Sequence, residues 1–301
     1  MKILITGSNG LLGQKLVDLY LKHPEYEIIA TSKGDNRLPY SKEQINFVTL
    51  DISDREQVNL IMDEYKPDFL INTAAMTHVD QCEEDKDLCK KLNVDAVSYL
   101  ASACEMHDTF LVHLSTDFIF DGEDGPYPEE WTPNPLSYYG ESKLASENII
   151  KNSSLKWSII RTVLVYGIAH DMSRSNIILW VKKSLEDGKS LKLVTDQWRT
   201  PTLAEDLAMG CFLIVKNQAE GVFNISGKDL LTPYDMAIAT AEYFDLDKTL
   251  ISKADSSTFQ QKAKRPAKTG FILDKAYKEL NYEPHSFLEG IDILAKQVGV
   301  K

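Results

Sequence analysis

Lys2-Ile3-Leu4-Ile5-Thr6-Gly7-Ser8-Asn9-Gly10-Leu11-Leu12-Gly13 is the stretch on which the fold turns. A short β-rich run passes into a GxxGxxG turn, and the apolar residues from Leu11 to Leu21 then recur at helical spacing. Glycine accepts positive φ and lets a ligand come close to the backbone. The start of the helix offers free N–H groups and the positive end of its dipole, a fit for a pyrophosphate. A glycine pattern alone says little, but placed directly after the first strand of a βαβ unit it points to a dinucleotide. Gly7, Asn9, Gly10, Leu11, Leu12 and Gly13 are therefore the expected cofactor contacts.

Working outward, strand patterns at Glu27 to Thr31, Asn46 to Leu50, Asp68 to Asn72, Phe110 to Leu114 and Trp157 to Arg161 alternate with helical stretches. The helices are expected at Asp54 to Tyr65, about Asp87 to Met106, and about Ser137 to Lys151. This alternation predicts an α/β fold, a Rossmann-like doubly wound parallel sheet with helices on both faces. Gly125, Pro126, Pro128, Pro133 and Pro135 place a long loop before the last of these helices. Beyond Gly167 the pattern is less regular. Residues 1–165 are expected to form the NAD(P)-binding domain, with returns of the chain near 200–225. Residues 166–301 are expected to form a smaller mixed α/β domain for the substrate.

Composition narrows the class. The 301 residues carry 33 basic and 45 acidic side chains, a net charge of −12, which disfavours nucleic acid as a partner. No apolar run approaches a membrane span. Cys82, Cys89, Cys104 and Cys211 form no CxxC pair and lie at no metal-ligand spacing from the histidines, so they read as reduced, partly buried thiols. No metal site is expected. No basic leader precedes the first strand, and a cytoplasmic location is the expectation.

The cofactor reading extends past the glycines. After the second strand, Ser32, Lys33 and Arg37 stand where an acid would bind the ribose diol of NAD. They favour the 2′-phosphate of NADPH, and Asp35 nearby keeps NADH open. Asp51, with Ile52 beside it, ends the third strand and is placed for the adenine amino group or for a helix cap. Thr73, Ala74 and Ala75 end the fourth strand with small side chains against which a dinucleotide can lie, and Thr77 follows on the loop.

Ser137-Tyr138-Tyr139-Gly140-Glu141-Ser142-Lys143 carries the chemistry. Tyr139 and Lys143 are four apart and share a helix face. An ammonium nearby is expected to lower the Tyr pKa, preparing it to protonate a carbonyl oxygen as hydride arrives at carbon. Lys143 also has donors for ribose hydroxyls. Thr116, ending Leu114-Ser115-Thr116-Asp117, is placed to hydrogen-bond the carbonyl and the Tyr hydroxyl.

With these residues together, the chain resembles an extended short-chain dehydrogenase/reductase, and within that family the dTDP-4-dehydrorhamnose reductase branch. The strings that carry the likeness are Ser115-Thr116-Asp117-Phe118-Ile119-Phe120-Asp121-Gly122, Pro133 to Lys143, Arg161-Thr162, Val165-Tyr166-Gly167, Asp196-Gln197, Pro201-Thr202 and Arg265-Pro266. The resemblance implies hydride transfer from NADPH or NADH to C4 of a nucleotide-linked 4-keto-6-deoxyhexose. Tyr139 would be the proton donor, Lys143 its electrostatic partner and ribose clamp, Thr116 the carbonyl anchor, and Asp117 a sugar contact. Phe118 stands where dehydratases of the superfamily carry an acid, which argues against dehydration. A homodimer follows by family analogy.

Two positions depart from the branch. Leu164 replaces a common Trp, and Arg199 stands where the branch often has Gly, offering a diphosphate contact. Lys253, Lys262, Lys264, Arg265 and Lys268 form a local basic cluster suited to an anionic ligand, with Arg265 the expected substrate contact. Rival readings are a cofactor-binding regulatory subunit of the methionine adenosyltransferase type, and an epimerase or reductase of another sugar nucleotide.

Overall fold

The structure is a computed structural model and describes residues 1–172 and 175–299. Of the expected 166–301 region, residues 173–174 and 300–301 lie outside it. The chain begins β1 (Lys2–Thr6), α1 (Leu11–Tyr20), β2 (Glu27–Ser32), β3 (Asn46–Thr49), α2 (Arg55–Tyr65) and β4 (Phe69–Asn72). It continues α3 (Val79–Glu84), α4 (Lys86–Lys90), α5 (Ala96–His107), β5 (Phe110–Thr116), α6 (Tyr138–Lys151), β6 (Trp157–Thr162) and β7 (Val165–Tyr166). Then come α7 (Ile177–Glu186), β8 (Leu191–Val194), β9 (Thr202–Leu203), α8 (Ala204–Asn217), β10 (Gly221–Asn224), α9 (Pro233–Tyr243), β11 (Ile251–Ala254), α10 (Asp274–Leu280) and α11 (Phe287–Gln297).

Seven strands form one sheet in the order β3-β2-β1-β4-β5-β6-β10, every neighbouring pair parallel. This is the expected Rossmann-like α/β fold. Alternation along β1 divides its side chains between two cores. Ile3 and Ile5 join Ile71, Val112 and residues of α1 and α8, while Leu4 joins Ile29, Leu70, Leu111 and residues of α2 and α5. A sheet covered on both faces needs strands that are apolar throughout, as Phe69-Leu70-Ile71 is.

The chain winds outward from β1 through β2 to β3, then returns to β4 on the other side of β1. That reversal opens a crevice at the carboxyl ends of β1 and β4. Register aligns Thr6 with Thr31 and Asn72, and Asn72 with His113, so the loops that follow these strands emerge together.

A second, smaller region is built on the parallel pair β8–β11 and the packed helices α7, α9 and α11. Its own apolar clusters include Met236, Phe287 and Leu294, and Val181, Leu191 and Ala241. Between these elements the chain goes back to the large sheet, where β10 is an edge strand, α8 packs on α1, and α10 packs on α8 and β10. The carboxy-terminal half is thus divided between two packed regions. No helix among the described residues is long and apolar enough to cross a membrane.

Candidate active site

The glycine turn is shaped by what its backbone touches. Gly7 has φ +67°, and a Cβ there would lie 2.8 Å from Thr73 Oγ1. A Cβ on Gly13 would meet the Gly7 carbonyl and come within 2.6 Å of Ser8 Cα. Larger residues are therefore excluded at both positions. Gly10 caps α1 without a side-chain acceptor, which leaves the first N–H groups of the helix open to an anion. Asn9 does not face inward alone: its amide donates to the Asp35 carbonyl at 2.7 Å and accepts from Arg37 N at 3.0 Å, tying the turn to the loop after β2.

A cleft of about 670 Å³ lies over this turn. Its lining includes Asn9, Gly10, Leu11, Leu12 and Gly13 from the turn, Thr73, Ala74, Ala75 and Thr77 from beyond β4, and Thr116, Asp117, Tyr139 and Lys143. The strand-end loops and the YxxxK face thus meet in one cavity. Ser137 makes this possible by capping α6, its Oγ accepting from Gly140 N at 3.3 Å. Tyr139 and Lys143 then follow on one face of the first helical turns, both buried.

Electrostatics at the pair differ from the expectation. Burial pushes the Tyr139 phenol well up, with Asp117 adding to it and a hydrogen bond with Thr116 opposing it. Burial also pushes Lys143 down, to about 8, with Glu147 and Cys89 opposing. Two groups desolvated together each favour the neutral form. The phenol is thereby kept protonated, the form a proton donor needs. Thr116 Oγ1 donates to Asp117 Oδ1 at 3.1 Å and accepts from Phe118 N at 3.2 Å, so Thr116, not Asp117, caps the turn after β5.

Ser32, Lys33 and Arg37, expected to read the 2′-phosphate, stand outside the cleft lining, and the two basic residues already have carboxylate partners. Lys33 lies 2.8 Å from Asp51, and Arg37 lies 3.8 Å from Asp171. Burial raises the Asp51 carboxyl, but Lys33 and the Ser53 donors outweigh it and hold it at about 2. Asp54 caps α2, which frees Asp51 from that duty. Ser32 ends β2 and takes Leu50 N on its carbonyl, and Ile52 is buried.

The carboxy-terminal arginines already have partners within the protein. Arg199, expected to offer a diphosphate contact, is buried and spends its guanidinium inside the protein. It donates to the carbonyls of Trp198 at 2.7 Å, Ala267 at 3.2 Å and Pro266 at 2.7 Å, and Nε lies 3.9 Å from Asp117. Asp117 is held in turn by Thr269 Oγ1, so its carboxylate is not free for a sugar alone. Arg265 forms a two-pronged pair with Asp80 at 2.7 and 2.8 Å. Lys262 pairs with Glu84 of α3. Two members of the basic cluster, Lys262 and Arg265, thus meet acids of α3 and fasten the 262–269 loop to the amino-terminal half.

Sequence reading missed several groups that support the cleft. The expected single helix from Asp87 to Met106 has a π turn at Lys91–Asp95, and Asn93 in that turn is buried. Its amide accepts from Met76 N at 2.8 Å and donates to Met76 O at 3.0 Å, fixing the loop after Ala75. No local signal marks an asparagine for that task. Glu147 does have one: it continues the Tyr139, Lys143 spacing by four. It is fully buried and bound to Arg161 through two contacts of 3.0 and 2.8 Å. His113 lies beneath Lys143, with Nε2 3.1 Å from Nζ. Among the described residues no group of three or more His, Cys, Asp or Glu is placed to hold a metal ion.

Comparison with known proteins agrees with this arrangement. Residues 1–299 match the family model described as RmlD substrate binding domain. A Haloferax volcanii protein named "Probable low-salt glycan biosynthesis reductase Agl14" is 32% identical over 93% of this chain and 92% of its own length. Bovine (Bos taurus) methionine adenosyltransferase 2 subunit beta is 31% identical over 81% of this chain and 72% of its own. The crystal structure of a dTDP-4-dehydrorhamnose reductase from Clostridium acetobutylicum is 30% identical, covers all of both chains and superposes with a TM-score of 0.88. The chain belongs to the RmlD substrate-binding domain family, within the extended short-chain dehydrogenase/reductase-like proteins.

Proposed function

We propose that this protein reduces the C4 keto group of a nucleotide-linked 4-dehydro-6-deoxyhexose with NADPH or NADH, dTDP-4-dehydrorhamnose being the favoured substrate. The observation that carries the reading is the shared cleft: Tyr139, Lys143 and Thr116 line the same cavity as the glycine turn. The likeness to the Clostridium reductase supports the substrate class.

The residues present suit a dinucleotide. The uncapped start of α1 offers N–H groups to the diphosphate, and the close packing at Gly7 and Gly13 leaves room for backbone approach only. When bound, the nicotinamide supplies the hydride. Tyr139 gives its phenolic proton to the carbonyl oxygen, and Thr116 orients that oxygen by turning its hydroxyl from Asp117 to the substrate. Lys143 stabilises the phenolate left on Tyr139 and holds ribose hydroxyls. Lys33 and Arg37 favour NADPH, exchanging Asp51 and Asp171 for the 2′-phosphate. Asp117, Arg199 and Thr269 act as one unit beneath the sugar.

A second reading, an NAD(P)-binding subunit without turnover, draws on the similarity to methionine adenosyltransferase 2 subunit beta. A pure binder has no need of a proton donor beside the glycine turn, which favours the reductase. Incubating the protein with dTDP-4-dehydrorhamnose and either NADPH or NADH, while following loss of the reduced nicotinamide absorbance, separates the two. Rapid oxidation of NADPH, slower oxidation of NADH, is the expected result. Binding of both cofactors with no oxidation of either supports the second reading.

A further inference from the structure

His113 on β5 stands opposite Asn72 of β4 and is almost completely buried. Its Nδ1 lies 3.1 Å from Asn72 Nδ2, and its Nε2 lies 3.1 Å from both Ser146 Oγ and Lys143 Nζ. Beyond Asn72 the contacts continue, with Thr6 Oγ1 donating to Asn72 Oδ1 at 2.6 Å. An unbroken buried line of polar groups runs from the strand that feeds the glycine turn to the lysine of the YxxxK face.

One ring nitrogen cannot donate and accept at once. The Ser146 hydroxyl donates to the Lys143 carbonyl at 2.7 Å, so toward His113 it only accepts. A proton on Nε2 therefore serves Ser146 and offers nothing to an ammonium. A bare Nε2 serves the Lys143 ammonium and puts the proton on Nδ1, facing Asn72. As it stands the Asn72 NH2 donates to bare Nδ1, and to accept from Nδ1–H the amide turns over, its NH2 then donating to Thr6 Oγ1 in place of the Thr6-to-Asn72 bond. Imidazolium is disfavoured throughout, since burial and then the Lys143 charge push His113 well below its ordinary value.

We propose that His113 is the positioning residue of Lys143, and that its tautomer exchanges with the charge on the lysine: Nδ1–H opposite the ammonium, Nε2–H opposite the amine. The proposal rests on the reductase reading for its consequence in turnover, but not for its chemistry. The ionisable groups about Lys143 are Glu147 and Tyr139 on its own helix, Cys89 of α4 and His113 of β5. Glu147 is already bound to Arg161 and Lys151, so His113 is the neutral acceptor left for Nζ. Burial lowers Lys143 to about 8, which keeps both charge states within reach near neutral pH.

The test is nitrogen-15 NMR of the histidine rings in the full chain, without cofactor or substrate, with the His113 signals identified by their loss in His113→Gln. Between about pH 6 and 9.5, His113 should stay neutral and pass from Nδ1–H to Nε2–H with the titration of Lys143. In Lys143→Met it should remain Nε2–H at every pH. A single tautomer at all pH in the unaltered protein, or imidazolium near pH 6, overturns the proposal. In turnover, His113→Leu removes an acceptor from the ammonium, so kcat should fall about tenfold and its alkaline limb should move to lower pH. His113→Gln, whose amide oxygen accepts, should recover kcat to within about threefold. An alkaline limb unmoved in His113→Leu contradicts the proposal. The NMR result stands without any substrate, so it separates failure of this proposal from failure of the reductase reading.

Discussion

On the amino-terminal side, Tyr139, Lys143 and Thr116 line the cleft. In the carboxy-terminal segments around 196–202 and 262–269, the charged groups turn toward each other and toward the other half of the chain. Arg199 serves the carbonyls of residues 266 and 267 and faces Asp117, while Arg265 and Lys262 reach Asp80 and Glu84. One side lines the candidate site with polar groups, while the other uses them to hold two halves together. The difference teaches that charge near a cleft is not charge offered to it. A guanidinium that has found carbonyl and carboxylate partners gives up little by staying with them, and a buried one has no water to fall back on.

The largest effect that sharpens this comparison is expected at Arg199. Arg199→Met leaves the Asp117 carboxylate buried without its counter-charge and takes the guanidinium donor from the Pro266 carbonyl, while the Ala267 carbonyl keeps the Trp198 N–H. Breaking such a buried pair costs about 3–5 kcal/mol, so the midpoint of urea unfolding should fall steeply. An unchanged midpoint, with weakened substrate binding only, would return Arg199 to the role of a substrate ligand.

A smaller effect is expected at the partly buried Arg265–Asp80 clamp. Arg265→Ala should cost about 1 kcal/mol, the upper range for such pairs. Its pH dependence is the more telling readout. Arg265, followed by the Ala263 N–H, holds the Asp80 carboxyl well below its ordinary value against burial. A depressed carboxylate adds stability above its unfolded pKa, near 3.8, and loses it as pH falls toward the folded value. The melting temperature of the unaltered protein should therefore exceed that of Asp80→Asn at pH 7, with the gap closing in acid. A gap that stays constant with pH contradicts the clamp.

Much of this was legible in the sequence where spacing is local. Lys2 to Gly13 carries its own geometry: five strand residues, a turn that excludes Cβ at Gly7 and Gly13, and a helix start. Tyr139 and Lys143 share a face because four residues make about one helical turn. The long-range pairings were not legible. Asp80 and Arg265 are 185 residues apart, and Asp117 and Thr269 are 152 apart. No local rule says which carboxylate a distant arginine will find. The same holds for Asn93, which from its π turn meets Met76 and Ser142. The pKa of Tyr139 was also missed in direction, because neighbouring charge can be guessed from spacing while burial depends on the whole fold.

The most direct test of the account is Tyr139→Phe, measured for turnover and for cofactor affinity on the same preparation. Removing one hydroxyl from a proton donor should lower kcat by at least about a hundredfold while leaving the cofactor Kd within about twofold. Full turnover by Tyr139→Phe would contradict the assignment of the cleft as a reductase site built around that phenol.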